Sequence, residues 1–143
     1  ALEELVMVGY PIGLWDKVNN FPIFRKGFTA CHPGIDFNEK GIGLVDMACF
    51  PGSSGSPIYI LNEGGYRDKK GNTYLGSSRL FLIGYLFAGP QYSANGTLTV
   101  ETIPTQQNIV PTTPIMVNLG YYVKSAEILS FIDRIKQDCN IKD

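Results

Sequence analysis

The residues of this sequence best suited to covalent chemistry lie in the run Phe50-Pro51-Gly52-Ser53-Ser54-Gly55-Ser56-Pro57. A serine hydroxyl attacks a carbonyl only when a base takes its proton and donors meet the oxyanion that forms. Ser54 stands between Gly52 and Gly55, so its hydroxyl is clear of bulky neighbours. Gly52 permits a backbone in which its own N–H and that of Ser54 reach one small space. Gly55 and Ser56 then let the chain turn away without blocking the line of attack. A Gly-Ser-Ser-Gly stretch alone has the composition of a linker. Here strand-like Leu44-Val45-Asp46-Met47-Ala48 leads in and Ile58-Tyr59-Ile60-Leu61 leads out, which is what a nucleophile on a tight strand–turn–strand requires.

The base is harder to find. The single histidine, His32, sits in Cys31-His32-Pro33-Gly34, and reads as a partly exposed turn residue rather than a catalytic one. Cys31, Cys49 and Cys139 are odd in number and widely spaced, neither a disulfide framework nor a metal-ligand pattern. They read as free thiols, which fits a reducing compartment or a domain that needs no bridges. No cofactor or metal is called for.

The elements that must position Ser54 are mostly strands. Leu5 to Tyr10 reads as a buried strand, ended by the Gly/Pro-punctuated loop Gly9-Tyr10-Pro11-Ile12-Gly13. Trp15 to Asn20 is polar and turn-prone. Phe21 to Ala30 alternates, Phe21, Ile23 and Arg25 against Pro22, Phe24 and Lys26, as a strand with one wetter face. Ile42 to Ala48 and Pro57 to Leu61 flank the serine turn. Asn62 to Ser78 reads as an exposed hairpin tipped by Lys69-Lys70-Gly71-Asn72, and Leu80 to Ala88 as a central strand stopped by Gly89-Pro90. Thr97 to Ile103 is strand-like, Pro104 to Pro114 an irregular loop, and Ile115 to Val123 a last strand interrupted by Gly120. The period then changes. Ile128, Leu129, Phe131, Ile132 and Ile135 fall at helical spacing, with Ser125 as N-cap and Glu127 in the first turn. The expectation is one helix over 125–138 whose apolar stripe packs on the β body.

Length and composition agree with one all-β domain over 1–143. The chain has 143 residues, 44% apolar and 17% charged, with 16 Gly, 9 Pro, 8 Tyr and 8 Phe. A formal net charge of −1 gives no global basic field for nucleic acid or an acidic membrane. No run approaches the length of a membrane-spanning helix, and Ala1-Leu2-Glu3-Glu4 lacks the basic start of a signal peptide. Because Leu5-Val6-Met7-Val8 is strand-like almost from the first residue, the natural protein is expected to start earlier.

On these residues the chain resembles the trypsin-like serine endopeptidases, most closely their bacterial HtrA-like branch. Gly52-Ser53-Ser54-Gly55-Ser56-Pro57 is similar to that family's nucleophile motif, Gly-Asn/Asp-Ser-Gly-Gly-Pro. Ser54 falls on the nucleophile, Gly52 and Ser54 on the oxyanion-hole amides, and Asp46 near the acidic residue that often opens the preceding strand. Gly9-Tyr10-Pro11-Ile12-Gly13, Leu82-Ile83-Gly84-Tyr85 and the helix after Gly120-Tyr121-Tyr122-Val123 resemble, in order, landmarks of the family's second β-barrel. Two positions depart from the pattern. Ser56 replaces the second Gly, and Ser53 removes the acidic or amide group that helps lock the family's turn.

The resemblance implies a single antiparallel Greek-key β-barrel with one C-terminal helix, the second half of a double barrel. A preceding barrel, in the same polypeptide or a separate chain, would supply the His and Asp. The pocket beside the scissile bond would be formed by Ala48 to Pro51, including Phe50, and by Phe87, Ala88 and Gly89. Ala48 falls on the family's pocket-floor position, and being uncharged it implies a small or apolar preference. The expected activity is peptide-bond hydrolysis on a protein or peptide substrate through an acyl-enzyme. The alternative is a catalytically inactive domain of the same fold that grips peptides by strand addition. A third reading keeps the serine turn only as an anion-binding nest in an unrelated barrel.

Overall fold

The computed structural model describes residues 2–68, 70–95 and 112–139. Ten strands and one helix follow in order: β1 Glu4–Gly9, β2 Ile23–Thr29, β3 Ile42–Asp46, β4 Pro57–Asn62, β5 Gly65–Arg67, β6 Thr73–Leu75, β7 Arg79–Ala88, β8 Gln91–Asn95, β9 Thr112–Met116, β10 Leu119–Lys124 and α1 Ser125–Asp138. Six of the strands close a barrel in the spatial order β1–β2–β3–β10–β7–β4, every neighbouring pair antiparallel. Reading β4–β1–β2–β3 around the ring gives three successive strands with the fourth returned beside the first, a Greek key. β5 pairs with β6 and β8 with β9 as separate two-stranded sheets.

The barrel forms because its strands carry apolar side chains on the inner face at period two. Leu5 and Met7 of β1, Val45 of β3, Ile58 and Ile60 of β4, Leu86 of β7 and Tyr122 of β10 meet Met47 and Cys49 in one buried cluster. Tyr122 is its largest member and lies opposite Gly43 in the β3–β10 ladder. A Cβ on Gly43 would come within 2.3 Å of the Tyr122 ring, so glycine there is what lets the ring fill the barrel.

Several sequence expectations hold: the strands before and after the serine turn, the strand over 80–88, the hairpin between β4 and β7, and the closing helix. Others are corrected. The last strand is two strands, since β9 pairs with β8 while β10 joins β3 and β7, and the chain breaks at Val117 and Asn118. Gly89-Pro90 do stop β7, as expected, and β8 starts directly after them. Lys124, not Ser125, is the N-cap of α1, because β10 runs straight into the helix and leaves Ser125 as its first residue. The apolar stripe of α1 is not buried: Ile128 is half-buried, while Leu129 and Phe131 are about 60% exposed. Among the described residues α1 packs chiefly on β7 and β10, and this contact leaves most of its apolar stripe exposed. The expected strand over 97–103 and the loop over 104–111 lie outside the described residues.

Burial of Tyr122 also sets a pH dependence. Its hydroxyl has no hydrogen-bond partner among the described residues, and desolvation pushes the phenol up to about 12 from an ordinary 10. A phenol whose folded value is raised contributes stability that is intact below pH 10 and lost as pH rises to about 12. Tyr122→Phe removes the orphan hydroxyl while keeping the ring. The expected result is a urea midpoint at pH 7 no lower than that of the wild type, and a smaller fall between pH 10 and 12. A large loss of stability at pH 7 would mean that the hydroxyl is bonded after all.

Candidate active site

The Ser54 turn links β3 to β4 at the barrel end where β1 stops and β2 begins. Gly9 and Ile23 are the last ladder pair of β1 and β2 there. The Ser56 side chain fills the space above Gly9, whose Cβ, if present, would lie 2.0 Å from Ser56 Oγ. Two ladder-like bonds fasten the turn to β7: Gly55 N–H donates to Leu86 O at 2.7 Å, and Leu86 N–H donates to Ser56 O at 3.0 Å. Gly52 and Gly55 both adopt φ near +85°, the left-handed backbone that glycine enters without strain.

The three serines have different environments. Ser53 and Ser56 are buried, while Ser54 is exposed, and no hydrogen bond reaches its hydroxyl among the described residues. Within the turn, Ser53 N–H donates to Phe50 O and Ser56 N–H to Ser53 O, both at 3.1 Å. With Gly55 bound to Leu86 and Pro51 lacking an N–H, the donors from Pro51 to Ser56 left without a protein acceptor among the described residues are Gly52 and Ser54. These are the amides that the sequence singles out.

The support comes from two strands that sequence reasoning did not connect to the turn. From the loop after β1, Ile12 N–H donates to Pro51 O at 2.6 Å. Ile12 does so at φ 48°, ψ 26°, a left-handed conformation that crowds its branched side chain. From β2, Arg25 donates through Nη1 to Ala48 O and through Nη2 to Ser53 Oγ at 2.6 Å. Its guanidinium also lies 6.0 Å from the Phe50 ring centre. No carboxylate pairs with Arg25 among the described residues. Burial lowers its affinity for the proton, and burial likewise pushes the neighbouring Cys49 thiol up, so Cys49 stays neutral. One signal was available in the sequence: Arg25 shares its strand face with Ile23, Gly27 and Thr29, so a cation stands on an inward-facing position.

A cavity of about 300 Å³ opens beside Ser54, lined by Cys49, Phe50, Pro51, Leu86, Phe87, Ala88, Gly89 and Gln91. Of the expected pocket residues, Phe50, Phe87, Ala88 and Gly89 share this wall with Ser54. Ala48, expected as the pocket floor, does not line it and lies where its carbonyl reaches Arg25. None of the lining residues is charged. His32 lies at the other end of the barrel. It follows Thr29, which bonds to Glu3 at the start of β1, whereas the serine turn lies against the end of β1. Six strand residues separate the two sites, ~20 Å at about 3.3 Å per residue. The imidazole Nδ1 accepts from Gly34 N–H at 3.1 Å. Among the described residues no group that could act as a base lies within hydrogen-bond reach of Ser54.

Strain at Ile12 is open to measurement. Ile12→Gly removes a left-handed cost of about 1–2 kcal/mol and adds an unfolded-state entropy cost of about 0.5–1 kcal/mol. Since the Ile12 side chain is 69% exposed, little packing is lost. The variant is expected to be about 0.5–1 kcal/mol more stable by chemical denaturation. A loss of stability would place the strain elsewhere.

Comparisons of the chain with family models, with curated proteins and with solved structures return no match, so the reading of this site rests on its own geometry.

Proposed function

We propose that this chain is the nucleophile half of a serine endopeptidase, with Ser54 as nucleophile and the Gly52 and Ser54 amides as oxyanion donors. The observation that carries the reading is the pattern of hydrogen bonds in the turn. The N–H groups of Ser53 and Ser56 are used within the turn and that of Gly55 by β7, while the two flanking Ser53, those of Gly52 and Ser54, have no acceptor among the described residues and lie beside an exposed hydroxyl. In the reaction, Ser54 Oγ attacks the peptide carbonyl carbon as its proton passes to a base. The carbonyl oxygen takes the negative charge opposite the two amides, and the C–N bond then breaks with the proton returned to the leaving amine. Water repeats the sequence on the ester and frees Ser54. The base is a His oriented by an Asp on a preceding barrel, which fits the separation of His32 from Ser54. The uncharged cavity suits a small or apolar side chain before the scissile bond.

Two outcomes follow. The chain alone is expected to react with a fluorophosphonate probe no faster than free serine, because nothing near Ser54 takes its proton. In a protein that joins it to the His and Asp barrel, Ser54→Ala is expected to abolish both labelling and cleavage of a denatured protein while leaving the melting curve unchanged. Labelling that persists in that variant would overturn the assignment. A wild-type protein of that composition that binds peptides without labelling would favour the inactive binding domain.

A further inference from the structure

We propose that Arg25 is a positioning residue for the Ser54 turn, holding the Gly52 and Ser54 amides in the orientation that leaves them free. Its catalytic consequence rests on the reading of Ser54 as nucleophile; its structural content does not. A trans peptide is planar, with its C=O and N–H pointing in opposite directions. The Gly52 N–H therefore belongs to the same rigid plane as Pro51 O, which Ile12 N–H holds at 2.6 Å. The Ser54 N–H shares a plane with Ser53 O, which Ser56 N–H holds at 3.1 Å. Rotating either amide away breaks the bond on the opposite edge of its plane. The Gly52–Ser53 peptide joins the two planes, and at its Ser53 end the side chain is fixed by the bond from Arg25 Nη2 to Ser53 Oγ.

Arg25 also grips Ala48 O, before the turn, so one rigid guanidinium ties the incoming strand to the middle of the turn. Ser53 is fully buried, and Arg25 supplies the bond to its hydroxyl. This arrangement supplies the lock that an acidic or amide side chain at position 53 would otherwise give. It does so with a half-buried cation whose acceptors are neutral and whose Nε has no partner among the described residues. An isolated buried cation is costly, and a position used only for stability is better served by an apolar residue. The positive charge is also of the right sign beside a turn where an oxyanion would form.

The test is an amide spectrum of the ¹⁵N-labelled chain. In the wild type, Gly52 and Ser54 are expected to give single narrow signals. In Arg25→Met, which keeps the apolar stem, both are expected to broaden or double while Val45 and Ile60 in the core keep their shifts. Arg25→Lys, which can satisfy one acceptor at a time, should fall between. Should Arg25→Met not fold, Ser53→Ala removes the central acceptor and is expected to disturb the same two signals. Gly52 and Ser54 signals that coincide with the wild type in the folded variant would overturn the proposal. In a protein joined to the His and Asp barrel, Arg25→Met should slow fluorophosphonate labelling of Ser54 about 100-fold, the effect of losing one oxyanion donor. An unchanged rate would remove the catalytic role. If the wild type itself is not labelled, the nucleophile reading fails, and the amide signals still decide whether Arg25 sets the turn.

Discussion

Pairing of β1 with β4 is the contact on which the rest of this molecule depends. It closes the six-stranded ring, so no barrel strand is left as an open edge. It also places the end of β1 beside the start of β4. The loop after β1 and the turn before β4 must then share one end of the barrel, and Ile12 comes within hydrogen-bond distance of Pro51. β2 is the other neighbour of β1, so its inward-facing Arg25 arrives beneath the same turn. The support of Ser54 is thus a consequence of strand order.

At that end of the barrel, stability and site geometry pull in different directions. The inner cluster from Leu5 to Tyr122 is apolar and closely packed, as a barrel core should be. The adjoining layer is polar: Ser53 and Ser56 are buried, Arg25 has no carboxylate partner among the described residues, and Ile12 is in a left-handed conformation. Each of these features costs free energy that a plain polar loop crossing from β3 to β4 would not require. They converge on a single turn and leave two of its amides free. Left-handed non-glycine residues also occur at Asn20, Asn38 and Glu39, and Thr29 is buried elsewhere, but among the described residues only at this turn do strain, buried hydroxyls and a half-buried cation come together.

The outer surface has its own imbalance. Phe24 and Phe28 on β2, Leu80 and Phe81 on β7, and Leu129 and Phe131 on α1 are all more than half exposed. The helix in particular is amphipathic yet has no buried residue. Packing of the apolar stripe, which usually stabilises a helix of this length, is supplied here only at its first turns.

Much of this molecule was legible in the sequence, for reasons that can be traced to particular residues. Short apolar runs announced β1, β3, β4 and β7, and Gly/Ser/Pro punctuation marked the turn that holds Ser54. The change to helical spacing after Ser125 marked α1. Local chemistry fixes such features: a β-branched or aromatic run favours a strand, and a glycine permits a left-handed bend wherever the chain goes. The cap of α1, the division of the last strand, and the exposure of the helix stripe were not legible, because each depends on which surface lies opposite. The same holds for the site. The nucleophile candidate and its flanking amides followed from neighbouring residues, whereas Arg25 and Ile12 lie far from Ser54 in the chain and became its supports only through barrel closure. The sequence by itself determined where a reactive turn could form; strand order in three dimensions decided what holds that turn in shape, because hydrogen bonds join groups that are close in space whatever their separation along the chain.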